Sequence, residues 1–169
     1  IIDDAITCVA RKQTPVILTR FKEHAKFLHD ALKEKADHVF LLYGDNSDKE
    51  NAEIRVKLKQ IPENESLILV ATGQKIGEGF DFPRLDVLML AAPVSFEGRL
   101  EQYVGRLNRD YVGKEAVYVY DYIDSHVRYF DKMYAKRLRT YRKTGFSIWT
   151  QELQPKQIIN AIFDSVNYT

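Results

Sequence analysis

An α/β fold with a mostly parallel central sheet and helices on both faces is the class this sequence predicts. Three observations predict it. Short continuous apolar runs have strand length, helical periodicities separate them, and turn residues mark the junctions. Unbroken apolar strands are buried on both faces, and helical crossovers supply the cover. The 169 residues suit one domain.

The elements follow in order. Pro15–Thr19 reads as a buried strand, and Lys22–Lys35 as a helix with Ala25, Leu28, Ala31 and Leu32 on one face. Val39–Tyr43 is a second strand ending at the turn Gly44-Asp45-Asn46. Ser47 to Glu50 has capping-box spacing, with Ile54, Leu58 and Ile61 as the apolar stripe of the helix it opens and Pro62 and Asn64 to stop it. Leu67–Ala71, Asp86–Leu90 and Ala116–Tyr120 are further strands, and Gly98–Leu107 is a helix. A long helix is predicted over Ser125–Thr144, capped by Gly145. Its stripe of Ile123, Val127, Phe130, Tyr134, Leu138 and Tyr141 should dock on the sheet, turning Arg128, Lys132, Arg139 and Lys143 outward. Residues 1–145 form the domain, and 146–169 are expected to be a C-terminal extension, a short strand and then a helix after Pro155.

Apolar residues make up 45% and charged residues 29%, as in a soluble globular protein. No apolar run approaches the roughly 20 residues a membrane-spanning helix needs. A single cysteine, Cys8, and the lack of a secretory leader pattern favour a reducing, cytoplasmic setting, and a start at Ile1 suggests a piece of a longer chain. Net charge is only +1, but seven Lys/Arg face one acid, Asp131, between His126 and Lys143. That run suits either a solvated helix face or contact with phosphates. His24, His29, His38 and His126 lack ligand spacing and read as surface or structural groups. For Tyr103, Tyr111, Tyr118, Tyr120 and Tyr122, packing is favoured over base stacking, and Trp149 is open to both.

Two stretches carry chemistry. Gln102 to Arg109 has the spacing Q-x-x-G-R-x-x-R, which would put Gln102, Gly105, Arg106 and Arg109 on one helix face. Gly105 would let another surface approach closely, and two guanidinium groups form a fork suited to polyphosphate, with two surface salt bridges as the alternative. In Leu67–Pro83, a buried strand runs into Thr72, Lys75, Asp81 and the glycines 73, 77 and 79, which would allow backbone to approach a phosphate unless the loop is merely flexible. Neither a G-x-x-x-x-G-K-[ST] phosphate loop nor a complete G-x-G-x-x-G is present.

Together, Ala71-Thr72, then Gly79-Phe80-Asp81 and Pro83, then Gln102 to Arg109, resemble motifs V and VI of superfamily-two helicases. Pro15–Thr19 with Arg20-Phe21 resembles motif IV, and Leu42-Tyr43-Gly44-Asp45 is similar to a turn of the same domain. The resemblance spans roughly residues 10–124 and implies a three-layer RecA-like C-terminal motor domain, closest in style to bacterial DEAD/DEAH-type and restriction-type helicases. It implies Arg109 as the arginine finger, Arg106 beside it, and Gln102 ordering the nucleotide side. Gly79 and Asp81 would touch the nucleotide, while Thr72 with Thr19, Arg20 and Lys75 would hold the nucleic-acid backbone; apart from the resemblance, the basic run suggests that Lys132 and Arg139 aid them. Such a finger contributes about 10³–10⁵ in rate to related NTPases. Thr72 to Gly79 is one residue longer than the common motif V, and the lysine loop and magnesium-binding acids of a first motor domain are missing. The implied ATP and Mg²⁺ would therefore be held mainly by an N-terminal RecA-like domain of the same polypeptide. The implied substrate is nucleic acid, DNA in preference to RNA. A non-motor RecA-like binding module or scaffold is the alternative, and an unrelated nucleotide-binding α/β domain a third.

Overall fold

A computed structural model describes residues 1–77, 80–92, 97–123, 127–153 and 156–164. Five parallel strands, β1 (Pro15–Thr19), β2 (His38–Leu42), β3 (Leu67–Thr72), β4 (Val87–Leu90) and β5 (Ala116–Ile123), form one sheet with β6 (Ser147–Leu153) and β7 (Lys156–Asp164). The order is β2-β3-β1-β4-β5-β7-β6, with β7 antiparallel to both neighbours. The helices are α1 (Ile2–Ala10), α2 (Lys22–Leu32), α3 (Asp48–Gln60), α4 (Gly73–Gly77), α5 (Glu97–Leu107) and α6 (Arg128–Lys143). Parallel neighbours need crossovers, and the helices supply them.

The expected strands are all present within a residue or three of their predicted ends. The expected helix after Pro155 is not. Residues 156–164 are strand β7, hydrogen-bonded along the whole edge of β5, whose backbone groups would otherwise be open. Ile158, Ile159, Ile162 and Phe163 permit strand as readily as helix, and an unpaired neighbouring edge decides between them. Helices α1 and α4 were not anticipated. Ala5 and Cys8 of α1 are buried at three-residue spacing, behind Asp3 and Asp4 in the first turn.

Alternation along the strands builds two cores. Val16 and Leu18, Leu69 and Ala71, and Leu88 and Leu90 face Leu58 of α3, Ile76 of α4, and Leu100, Val104 and Leu107 of α5. Ile17, Ile68, Val70 and Met89 face Ala5 and Cys8 of α1 and Ala25, Leu28 and Leu32 of α2. Tyr118, Tyr120 and Tyr122 pack against this second core, and Tyr122 Oη donates to Asp4 Oδ2 at 2.6 Å. Burial pushes the Cys8 thiol up to about 11, which keeps it protonated and unreactive. The predicted capping box forms at α3: Ser47 N–H donates to Glu50 Oε2 at 2.7 Å, and Glu50 N–H donates to Ser47 Oγ at 3.2 Å.

Helix α6 ends as its sequence predicts but faces the core on a stripe that only partly matches the predicted one, sharing Tyr141 and the partly buried Leu138. Gly145, at φ +84°, donates to Arg142 O, and Phe146 N–H donates to Tyr141 O at 2.9 Å. The Tyr141 and Phe146 rings meet edge-on at 5.9 Å, so the closure is a Schellman turn with its hydrophobic contact. Met133, Arg137, Thr140 and Tyr141 are the buried residues, while Val127 is exposed and Tyr134 and Leu138 are only partly covered. The stripe rotates because Asp121 of β5 points into this layer at 1% exposure and requires partners. Arg137 donates to it through Nε at 2.6 Å and Nη2 at 2.9 Å, and Tyr141 Oη donates at 2.9 Å. Arg137 therefore leaves the outward basic face, whereas Arg128, Lys132, Arg139 and Lys143 are exposed as expected.

A buried ion pair that loses one member is left with an uncompensated charge. Asp121→Ala should therefore destabilise the domain by about 3–5 kcal/mol, and Tyr141→Phe by about 1 kcal/mol, in urea unfolding. A loss for Asp121→Ala no larger than that for Tyr141→Phe would remove the triad from its place in anchoring α6.

Candidate functional site

The carboxyl ends of β1 and β3 lie side by side, with Thr19 opposite Thr72 in the register. Both threonines are buried, at 3% and 7% exposure, and Thr19 Oγ1 lies 3.0 Å from His24 Nδ1. Burial lowers the His24 pKa, which favours the neutral ring. Arg20 and Phe21 follow on the exposed rim, and Lys22 pairs with Asp45 across the top of β2. Strand β3 passes directly into α4 where a glycine-rich loop was expected. Here Lys75 points its ammonium at Asp48, 3.6 Å away, and its carbonyl accepts from Arg55. Gly79 lies outside the described residues.

Gly73 has a packing reason that the sequence did not disclose. Tyr103 of α5 donates through Oη to Gly73 O at 2.9 Å, and a Cβ on Gly73 would fall 2.6 Å from that oxygen. Thus α5 is drawn against the end of β3. Gly105 has no described atom within 4 Å of its would-be Cβ and faces outward beside exposed Gln102, which leaves that face open.

The two arginines separate at the end of α5. The helix stops at Leu107, so Arg109 stands beyond it and does not share its face. Arg106 donates from Nη1 to Phe80 O. Arg109 Nη1 lies 2.6 Å from Asp81 Oδ1, with both side chains about half exposed. Asp81 and Arg109, assigned to one nucleotide site by the resemblance, therefore meet across 28 residues of sequence.

Two further cations, neither singled out by sequence, secure the same loop. Lys114 Nζ donates to Pro83 O at 2.7 Å, to Arg109 O at 3.0 Å and to Leu107 O. Arg84 reaches the other way, with Nη1 donating to Pro62 O at 3.0 Å and Nη2 to Glu63 O and Glu65 O. Burial pushes Lys114 down to about 8, against the pull of Asp86 and Asp110. Asp86 is itself raised to about 6 by burial, and it accepts Thr14 N–H at 2.7 Å. Single lysines and arginines in a charged stretch carry no periodic signal, so only their contacts reveal them.

On α6, Lys132 and Arg139 are both exposed. The helix lies next to α5, linked by Lys143 Nζ to Glu101 Oε1 at 2.9 Å. Among the described residues, no group of three or more His, Cys, Asp or Glu could hold a metal ion. No helix among them is long and apolar enough to cross a membrane.

This arrangement, with five parallel strands, helices on both faces and a polar carboxyl edge, is the fold of the C-terminal RecA-like domain of superfamily-two helicases. The chain superposes on T4 UvsW with a TM-score of 0.65 at 21% identity, covering 84% of this chain and 31% of that one. It superposes on the Pyrococcus furiosus Hef helicase domain with a TM-score of 0.54 at 23% identity, covering 79% and 28%. In sequence it is 33% identical over 118 residues to putative helicase 161L of Invertebrate iridescent virus 6, covering 69% of this chain and 22% of that protein. No family model matches. The chain spans about a fifth to a third of the length of the curated viral relatives it matches.

Gly73→Ala should cost about 1–3 kcal/mol through overpacking against Tyr103. Combining it with Tyr103→Phe removes the clashing oxygen, so the double variant should be more stable than the sum of the single losses predicts. Strict additivity in thermal unfolding would contradict the contact.

Proposed function

We propose that this chain is the second motor domain of an ATP-dependent nucleic-acid helicase or translocase. The carrying observation is the Asp81–Arg109 pair, which presents a half-exposed guanidinium just beyond the C-terminus of α5 in a helicase-type fold. One Nη1 donor is used on Asp81, and a guanidinium has five N–H donors. The remainder suit a phosphoryl group brought by a partner domain, where positive charge stabilises the developing negative charge. Arg106, through Phe80 O, sets the loop that carries Asp81, and Asp81 would meet the ribose. Gln102, exposed on α5, faces the same partner, and Gly79 completes the nucleotide side. ATP suits these groups as substrate. The Mg²⁺ that would neutralise its phosphates would be held mainly by the first motor domain, as the resemblance implies. Putative helicase 161L supports the helicase assignment.

Nucleic acid would pass along Thr19, Arg20, Thr72 and Lys75, with the exposed cations of α6 beside it. Burial of Thr19 and Thr72 suits backbone positioning, whereas Arg20 offers direct charge. A second reading, a non-motor module, is favoured by one observation: Arg109 is already paired within the chain and could serve only to hold the Asp81 loop. Mutation separates the two readings.

In the full-length polypeptide, Arg109→Ala should lower ATPase turnover by about 10³-fold or more while leaving ATP binding nearly intact. Residues 1–169 alone should hydrolyse ATP no faster than buffer. Unchanged turnover in the variant, or nucleic-acid-stimulated turnover by the fragment, would refute the assigned division of labour.

Lys132→Ala with Arg139→Ala should weaken binding to DNA and RNA of every sequence alike. The slope of log affinity against log salt should flatten by roughly one to two units. Unchanged affinity and slope in a folded variant would leave α6 a solvated face.

A further inference from the structure

We propose that Lys114 is a positioning residue for Arg109. Its ammonium joins the carbonyls of Pro83, Leu107 and Arg109 and so fixes the arginine-bearing turn on the loop that carries Asp81. This rests on the role proposed above for Arg109. The three acceptors come from separate places: the end of the Asp81 loop, the C-terminus of α5, and the arginine's own backbone. An ammonium has three donors, and all three are used. Without them, the last carbonyl of α5 and the Arg109 peptide would have to find water. Besides the Arg109–Asp81 pair and Asn108 N–H on Val104 O, the turn from Asn108 to Gly113 has two other described anchors. Lys114 N–H donates to Tyr111 O, and Tyr111 Oη donates to Glu63 Oε1 at 2.9 Å, but neither contact touches Arg109. A guanidinium displaced by about 1 Å can lose a hundredfold in rate.

The site also makes its own signature. Lys114 is pushed down to about 8 by burial, with Asp86 at the start of β4 and Asp110 in its own turn drawing it back up, and Arg84 acting on Asp86. Burial pushes Asp86 up only to about 6, so it has already lost its proton where Lys114 begins to lose its own. A neutral amine has two donors for three carbonyls, and one contact must open. Because the folded pKa lies below the ordinary value of 10.5, losing this proton stabilises the fold between those values. An alkaline fall in turnover without a fall in Tm therefore reports position and not unfolding.

The test uses the full-length polypeptide, with nucleic-acid-stimulated ATPase and Tm measured from pH 6.5 to about 9.5. Lys114→Met should lower kcat by about tenfold to a hundredfold, with KM for ATP changed by no more than about twofold. The wild type should lose turnover above about pH 8. In Lys114→Arg, which keeps the charge, turnover should recover and that limb should move up by more than about one unit. If Arg109→Ala abolishes turnover but Lys114→Met keeps wild-type kcat, the positioning role is overturned and the function above stands. If Arg109→Ala itself has no effect, that function falls and this role with it. Should Lys114→Met fail to fold, an alkaline limb left in place by Lys114→Arg overturns the proposal.

Discussion

The loop from Phe80 to Arg84 is tied down by cations on its oxygen atoms and by the burial of Phe80 in the core, and the Asp81–Arg109 pair depends on it. Arg106 takes the carbonyl of Phe80, Arg109 the carboxylate of Asp81, and Lys114 the carbonyl of Pro83. Arg84 anchors the loop's far end on the turn after α3. Cation-to-carbonyl bonds are stronger than neutral ones, and several converging on one short segment restrict it more than its own turn geometry could. The stretch that resembles motif V is thereby tied to the stretch that resembles motif VI within a single domain.

Beside that loop, the sheet needs both of its faces covered, and the two cores meet this need differently. The face toward α1 and α2 is closed by small and aliphatic side chains and by the partly buried Tyr118, Tyr120 and Tyr122. The face toward α3–α6 contains a carboxylate, Asp121, which would be costly in an apolar layer without Arg137 and Tyr141. The triad fixes the rotation of α6, and that rotation in turn decides which of its cations meet solvent. A structural ion pair thus sets the composition of a candidate nucleic-acid surface that it does not join.

Strand β7 shows how an open edge outweighs local pattern. The segment after Pro155 contains isoleucines that suit either element, and β5 offers eight residues of unpaired backbone beside it. Pairing satisfies those groups and extends the parallel sheet with an antiparallel hairpin.

The sequence by itself determined the five parallel strands, most of the crossover helices, the Ser47 cap and the Gly145 stop, because these rest on local periodicity and on side chains that reach only a few residues. It also placed Thr19 and Thr72 at the carboxyl ends of strands, where such a fold gathers ligands. Tertiary structure alone decided that Arg109 leaves its helix to meet Asp81, that Gly73 yields to Tyr103, that Arg137 turns inward, and that Lys114 and Arg84 hold the loop between them. Each of those contacts joins residues well apart in the chain, through a charge or hydroxyl whose partner no spacing announces. Distance in sequence hides them, and folding brings them within hydrogen-bond reach.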